Sequence, residues 1–483
     1  MNFRMRTRRS VFNTVKEAVD NAIETHRGNL VLLPPDVNRL SDEEEDVNED
    51  LLSPNDIAGQ VEVEDEDGSS DDDGEEQNVK KVKPKWKSGN ESLVFQWPEH
   101  SDLEPLSLQY PLLANMSPAE IFSLFFDNDM KNMIIEQSLL YSVHRNNHRF
   151  KLSCSDLEKF IGVILLSGYH TIQREDDMWN REEDLGIPMV YNNITRQNYR
   201  DIKRYIHFVD NNVDLSTVND KFWKVRPLLD SVNRVLNQFG SFCRNVSVDE
   251  QMLPYYGFHS CKQFIRGKPL RFGYKAWAMS CEHGYPFYVE IYQGKSNNIA
   301  SNQSEYGNLG VGGNVVLNAV QTVLRDPKHH GLYVDNFFTS YALLRKCTDI
   351  GLRCTGTMRM NRTNGCPLPD KSSMVKKERG CYHCASDKNV VCVSWKDNAV
   401  VILGSNYDSV KPLIVTERRK KGGTVSLHQP KMVSDYNKYM GGADLTDRHV
   451  ANLRASTRKR VWYWPVVKHC IEILRVAAFT LYK

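Results

Sequence analysis

The apolar positions follow two periods, and the change from one to the other falls near residue 240. Before it, Phe222, Val225, Leu228, Leu229, Val232 and Val235 recur at the spacing of one helix face, and Gln197 to Val209 continues the pattern. Ser117 with Glu120, ahead of IFSLFFDNDMKNMIIEQSLLYSV, and Ser155 with Glu158, ahead of KFIGVILLSGYH, each have the form of a capping box. Residues 111–240 are therefore predicted to form an all-α domain whose Met and aromatic stripes are core. After Asn245 the period shortens to two. In NVSVDEQMLPYYG, Val246 and Val248 share one face of a predicted strand, while Ser247 and Asp249 share the other. A carboxylate placed there either caps the turn at Pro254 or holds a metal ion.

Phe272 to Ser280 and Phe287 to Tyr292 read as two further strands joined by a hairpin turn at CEHGY. A Gly-, Asn- and Ser-rich loop, Gln293 to Asn314, precedes a helix over Val315 to Arg325. Its GNLGVGGN stretch resembles a phosphate-binding loop only loosely, because the Lys-Ser/Thr of that motif is missing. GLYVDNFFTS then places Asp335 after a short β-rich run, and YALLRKCTDIG restarts a helix. Three strands, a helix, a strand and a helix, with acids ending the first and fourth strands, is the order of a ribonuclease H-like α/β core. In that core Asp249 and Asp335, 86 residues apart, lie on neighbouring strands. They would repel unless a cation lay between them, and Mg2+ suits an oxygen-only donor set.

Such a core needs a third acid on a later helix. Cys354 to Met360 reads as another strand. Residues 361–430 read as a β-rich insertion, with VVCVSW, AVVILGS and the basic run Arg418 to Lys421. Beyond it, in SDYNKYMGGADLTDRHVANLRAST, Asp444 and Asp447 share a helix face, and Gly441 and Gly442 allow the backbone close to the sheet. Taken alone, the same two acids would equally suit a helix N-terminus facing solvent.

Charge changes the picture at the N-terminus. Residues 41–76 hold 18 Asp or Glu and no Lys or Arg, so a net charge of +1 for the whole chain leaves +19 on the rest. A basic globular body of that kind suits a polyanion such as nucleic acid. The acidic run has too little apolar content to offset chain entropy and is expected to be disordered. Ser10 to His26 reads as a short helix before it, and Lys80 to Lys87 (KKVKPKWK) after it as a basic cluster on a flexible tail, suited to nuclear import. Residues 1–110 thus form one N-terminal region. The 11 cysteines are scattered, odd in number and unlike a disulfide framework, which points to a reducing nuclear or cytosolic setting. No apolar run approaches the length of a membrane span, and no signal peptide is expected.

In order along the chain, SVDEQMLPYYG, YVDNFFTS and MGGADLTD, with KQFIRGKPLRFGYKAW and WPVV as further landmarks, resemble the piggyBac transposases and their transposable element-derived relatives. The likeness runs from about Pro111 to the C-terminus. It implies that residues 241–360 and 431–483 build the catalytic core, that Asp249, Asp335 and Asp444 are the catalytic triad, and that Asp447 is a further metal-binding acid. It also implies two Mg2+ or Mn2+ ions, hydrolysis of one DNA strand, and attack of the freed 3′-hydroxyl on the opposite strand and then on TTAA targets. The partner would be double-stranded DNA held by a homodimer in the nucleus, with no membrane and no small-molecule substrate.

Basic and aromatic residues fit a DNA path beside these acids. Lys262, Arg266, Lys268, Arg271 and Lys275 follow the first; Arg454, Arg458, Lys459 and Arg460 follow the third and lead to Trp462 and Trp464. Trp464, in the WP landmark, is the expected DNA contact, whereas Trp462 suits core packing as well. The sequence stops at Lys483 without the cysteine-rich zinc module usual after this core. Cys381, His383, Cys384 and Cys392 are spaced poorly for a closed zinc site. The missing module leaves a second expectation: a domesticated, non-catalytic nuclear DNA-binding protein.

Overall fold

A computed structural model describes residues 83–89, 97 and 103–483, apart from 171, 183, 213–218, 266–269, 295–302, 305–306 and 421–422, together with the backbone of three N-terminal strands. The helical part comprises α1 (Pro118–Phe125), α2 (Asn128–His144), α3 (Cys154–Leu166), α4 (Arg196–Tyr205) and α5 (Arg226–Leu236). Ser117 and Glu120 make the expected capping box at α1. The single long helix expected after it is broken, because Asp127 caps a new one by accepting from the Met130 N–H at 2.9 Å. The second capping box is Ser153 with Asp156, two residues earlier than the Ser155 and Glu158 expected. Asp156 serves as well as Glu at the third helical position, and its carboxyl is held below the usual range by the Ser153 hydroxyl.

Six strands build the centre of the sheet: β1 (Asn245–Pro254), β2 (Lys262–Phe264), β3 (Phe272–Cys281), β4 (Pro286–Ile291), β5 (Gly331–Val334) and β6 (Arg353–Thr357). β3 lies antiparallel between β1 and β4, while β5 runs parallel to β1 and β6 parallel to β5. The order across this part is thus β4-β3-β1-β5-β6. Between β4 and β5 runs α6 (Gly310–Val323), and between β5 and β6 runs α7 (Tyr341–Asp349). α6 begins inside the glycine-rich stretch read as loop. The reason is close approach: a Cβ on Gly312 would lie 2.5 Å from the Phe337 carbonyl oxygen.

The segment 361–430 extends the same sheet. β7 (Tyr382–Ser386), β8 (Val391–Lys396) and β9 (Val400–Ser405) form an antiparallel meander, and β9 pairs with β6. A separate hairpin, β10 (Leu413–Lys420) with β11 (Gly423–Pro430), carries the basic run. Three helices close the chain: α8 (Lys431–Tyr439), α9 (Gly442–Asn452) and α10 (Trp464–Tyr482). One hydrophobic core joins Phe160 and Leu229 of the helical part, Val246, Trp277 and Leu332 of the sheet, and Ile473 of α10. No helix among the described residues is long and apolar enough to cross a membrane.

Three N-terminal expectations change. Val11–Thr14 is a strand where a helix was expected, and Ala58–Glu64 is a strand inside the acidic run. β-Branched Val11 and Thr14, and the alternation of Val61 and Val63 with Gln60, Glu62 and Glu64, favour strand. Ala58–Glu64 lies between the other two, antiparallel to Val11–Thr14 on one side and to Asn29–Leu33 on the other, and Asn29–Leu33 joins β2; the rest of residues 41–76 lies outside the described residues. The KKVKPKWK tail is tethered at its end. Trp86 meets the Tyr341 ring edge-on at 5.7 Å, and Lys87–Ser88 pairs with β7.

Candidate active site

Asp249 is the fifth residue of the ten in β1, not its last. Its place is set instead by the neighbour. The parallel register ends at Val334 opposite Val248, so Asp335 leaves β5 one step further on, level with Asp249. Both carboxylates are half-buried. The Asp335 turn is fixed from several sides: Oδ1 accepts from the Phe337 N–H at 2.8 Å, and the Asp335 carbonyl accepts from the Thr339 hydroxyl at 2.7 Å. Trp277 stacks on Phe337 at 5.3 Å, and Arg362 donates to the carbonyls of Asn336 and Phe337. Burial raises the Asp335 carboxyl above its usual range; the Phe337 N–H opposes this and the Glu250 charge adds to it.

The third acid arrives on α9. Ser247, on the same face of β1 as Asp249, accepts from the Ala443 N–H at 3.1 Å. Thr446 bonds Ser280 at 2.9 Å and the Gly284 carbonyl at 3.0 Å. This seat needs a bare backbone, since a Cβ on Gly442 would lie 2.3 Å from the Cys281 carbonyl oxygen. Gly441 faces open space, so of the two expected close approaches only Gly442 is one. Asp444 is exposed in the first turn and Asp447 half-buried one turn on.

Tyr436 of α8 connects the three. Burial raises its phenol, its contact with the Thr357 hydroxyl at 3.4 Å opposes this, and the charges of Asp335, Asp249 and Asp444 push it up further. One hydroxyl thus lies within electrostatic reach of all three carboxylates. The donor chemistry, carboxylates from β1, β5 and α9, fits a hard divalent cation in type. As the side chains stand, no three His, Cys, Asp or Glu among the described residues surround one point.

The expected DNA contacts divide. Arg271 and Arg458 are exposed, and Lys459 and Arg460 half-buried; Arg266 and Lys268 lie outside the described residues. Lys262 is 2% exposed, its Nζ 3.4 Å from the Tyr256 carbonyl oxygen, and burial lowers its pKa to about 8. Lys275 pairs with Glu250 at 2.6 Å and lies over the Trp277 and Phe337 rings. Its register opposite Met252 puts it on the face of Glu250 and Trp277 rather than that of Asp249, so its charge is taken up by Glu250. Trp464 is 1% exposed and packs near Phe160, which removes it as a base-stacking contact. The aromatic WP landmark is a helix start, and its ring faces the core. Cys384 and Cys392 enter different apolar clusters on opposite faces of the sheet. Sequence reasoning passed over Tyr436 and Arg362; Tyr436 lies within DYNKYMGGAD, whereas Arg362, 24 residues beyond YVDNFF, carried no local signal.

Acids on two adjacent strands and a returning helix define a DDE-type transposase domain, and residues 117–479 match the family described as Transposase IS4. The chain belongs to the piggyBac transposable element-derived family of these IS4-like DDE transposases. It is 36% identical over 372 residues to PiggyBac transposable element-derived protein 3 of Homo sapiens, covering 76% of this chain and 61% of that one. To protein 2 of the same series, also human, it is 30% identical over 376 residues, 76% of this chain and 62% of the relative. It therefore spans about three fifths of the length of these two relatives. The fold is similar to that in a cryo-EM structure of the piggyBac transposase synaptic complex with hairpin DNA (TM-score 0.63, 20% identity, 77% of this chain and 76% of that chain).

Proposed function

We propose that this chain carries a ribonuclease H-like catalytic core that cuts and joins DNA with divalent metal ions held by Asp249, Asp335 and Asp444, with Asp447 beside them. The observation that carries the reading is the meeting of three elements at one place: β1 and β5 in parallel register up to the acids, and α9 seated on Ser247. The chemistry such ions supply is activation of the attacking oxygen and stabilisation of the leaving one. The chain's own part is positioning. The Phe337 N–H and the Trp277 stack hold the Asp335 turn, and Lys275 balances Glu250 next to Asp249. Double-stranded DNA as substrate, TTAA as target, a homodimer on paired ends and a nuclear location belong to the same proposal.

The test is cleavage and joining of DNA bearing the element's ends by purified protein in Mg2+ or Mn2+. Activity lost in Asp249→Ala supports the reading; a wild type indistinguishable from Asp249→Ala overturns it. The same assay separates this from a second reading, a non-catalytic DNA-binding protein. Chromatin occupancy unaffected by substitution of all three acids, with no cleavage in vitro, would favour that reading.

A further inference from the structure

The loop after β1 carries two aromatic side chains into solvent: Tyr256 is 56% and Phe258 38% exposed. Large rings held outward on a rigid support mark a contact surface more often than isolated exposure does. The support here is unusually firm. Tyr255, between β1 and Tyr256, stacks on Tyr274 at 4.8 Å, and its hydroxyl donates to the Phe258 carbonyl at 3.2 Å. A Cβ on Gly257 would lie 2.4 Å from that hydroxyl, so the loop folds down onto Tyr255 only because this position is glycine. Beneath Phe258 lies the buried Lys262, 5.8 Å from the ring centroid and bonded to the Tyr256 carbonyl. His259 stacks on Trp462 at 4.5 Å, and Tyr274 donates to the Trp462 carbonyl at 2.9 Å.

The flanks are basic. The Tyr255 N–H bonds the Phe272 carbonyl, which places exposed Arg271 next to the loop, and Arg458 to Arg460 lead into Trp462 on the other side. Rings facing out between cations are the recurring means of holding single-stranded nucleic acid: the cations follow phosphates and the rings take bases of any sequence. Duplex bases are already stacked and offer these rings nothing.

We propose that Tyr256 and Phe258 form a stacking platform for unpaired bases of a DNA strand, held between Arg271 and the Arg458 to Arg460 run. The proposal rests on the transposase reading for the identity of the polyanion. The residues from Asp249 to Pro254 span about 17 Å of strand, so the platform holds DNA several nucleotides from the acids.

The test uses the full chain in EDTA, so that no cleavage step enters. Binding is read by anisotropy with an oligothymidylate of roughly 15 nucleotides and with a duplex of the same length. A strand containing 2-aminopurine reports stacking by its quenching. Tyr256→Ser and Phe258→Ser are each expected to weaken single-strand binding about tenfold and to relieve the quenching, with duplex binding changed less than about twofold. Tyr256→Trp is expected to restore both. Equal losses for single strand and duplex, or quenching that survives the double variant, overturn the platform while leaving the cleavage assay free to succeed. A wild-type chain that binds neither DNA overturns the platform and the DNA substrate together.

Discussion

Gly442→Ala tests the seat of the third acid. The added methyl would begin 2.3 Å from the Cys281 carbonyl oxygen, 2.8 Å from its carbon and 3.0 Å from Ser247 Oγ, where ordinary contact starts near 3.4 Å. Two of these are backbone atoms of Cys281, the last residue of β3, which its pairing with Val246 holds in place, so α9 has to retreat by about 1 Å. Overpacking of this kind costs ~1–3 kcal/mol. The retreat also stretches the Ala443 to Ser247 bond of 3.1 Å and the Thr446 bond of 2.9 Å, and it carries Asp444 away from Asp249 by the same distance. A misplacement of about 1 Å costs on the order of 100-fold in rate. Gly441→Ala is the control, since no atom lies within 4 Å of its Cβ and its φ is −74°. Stability is read by urea denaturation and activity by metal-dependent strand cleavage. Gly442→Ala should lose both, with Gly441→Ala close to wild type; a Gly442→Ala protein matching Gly441→Ala in both would refute the close seating of α9.

Asp335→Asn removes a carboxylate whose burial holds its pKa up, so the variant should equal or exceed wild type in thermal stability at neutral pH while cleavage is abolished; a marked loss of stability would count against the strain assigned to that charge. Asp408 lies 2% exposed, bonded to Thr355 at 2.7 Å and 3.6 Å from Lys431, and burial raises its pKa to about 6. Because the folded value stands above the unfolded one, the charged form costs on the order of 3 kcal/mol above about pH 6, and this cost is relieved as pH falls from there toward 4. Asp408→Asn should remove that part of the pH dependence between urea unfolding at acid and at neutral pH. Trp464→Ala should cost ~3–5 kcal/mol of stability, while Trp464→Phe should leave DNA affinity measured by anisotropy unchanged; a specific loss of affinity would return this ring to the DNA path.

The placement of the three acids was legible because each sits in a local motif whose neighbours alternate with period two or restart a helix. Asp249 could be assigned to the Ser247 face from four residues. What the sequence did not convey was distance in space between exposed chemistry and core. Lys275 reads as a free cation until Glu250 and the rings of Trp277 and Phe337 are placed around it, and Trp464 reads as a surface aromatic until it is set beside Phe160 of α3. The glycine-rich stretch misled for the opposite reason. Glycine signals either freedom or crowding, and only the Phe337 carbonyl beside Gly312 shows that crowding is the cause. Helix starts were misjudged by small steps because Ser153 and Ser155 both have an acid three residues on, and local sequence does not rank them.

The seat of α9 also sets a clock. Its bond from Ala443 to Ser247 joins positions 196 residues apart in the chain. At synthesis rates of roughly 5–20 residues per second, Asp249 leaves the ribosome some 10–40 s before the helix that brings Asp444 to it. For the last 109 residues of that interval, once Asp335 has been made, the nascent chain has two of its acids on neighbouring strands and lacks the third. A polypeptide that stops short of α9 therefore holds no complete carboxylate set, and on the proposed reading any capacity to break a DNA backbone waits for that helix.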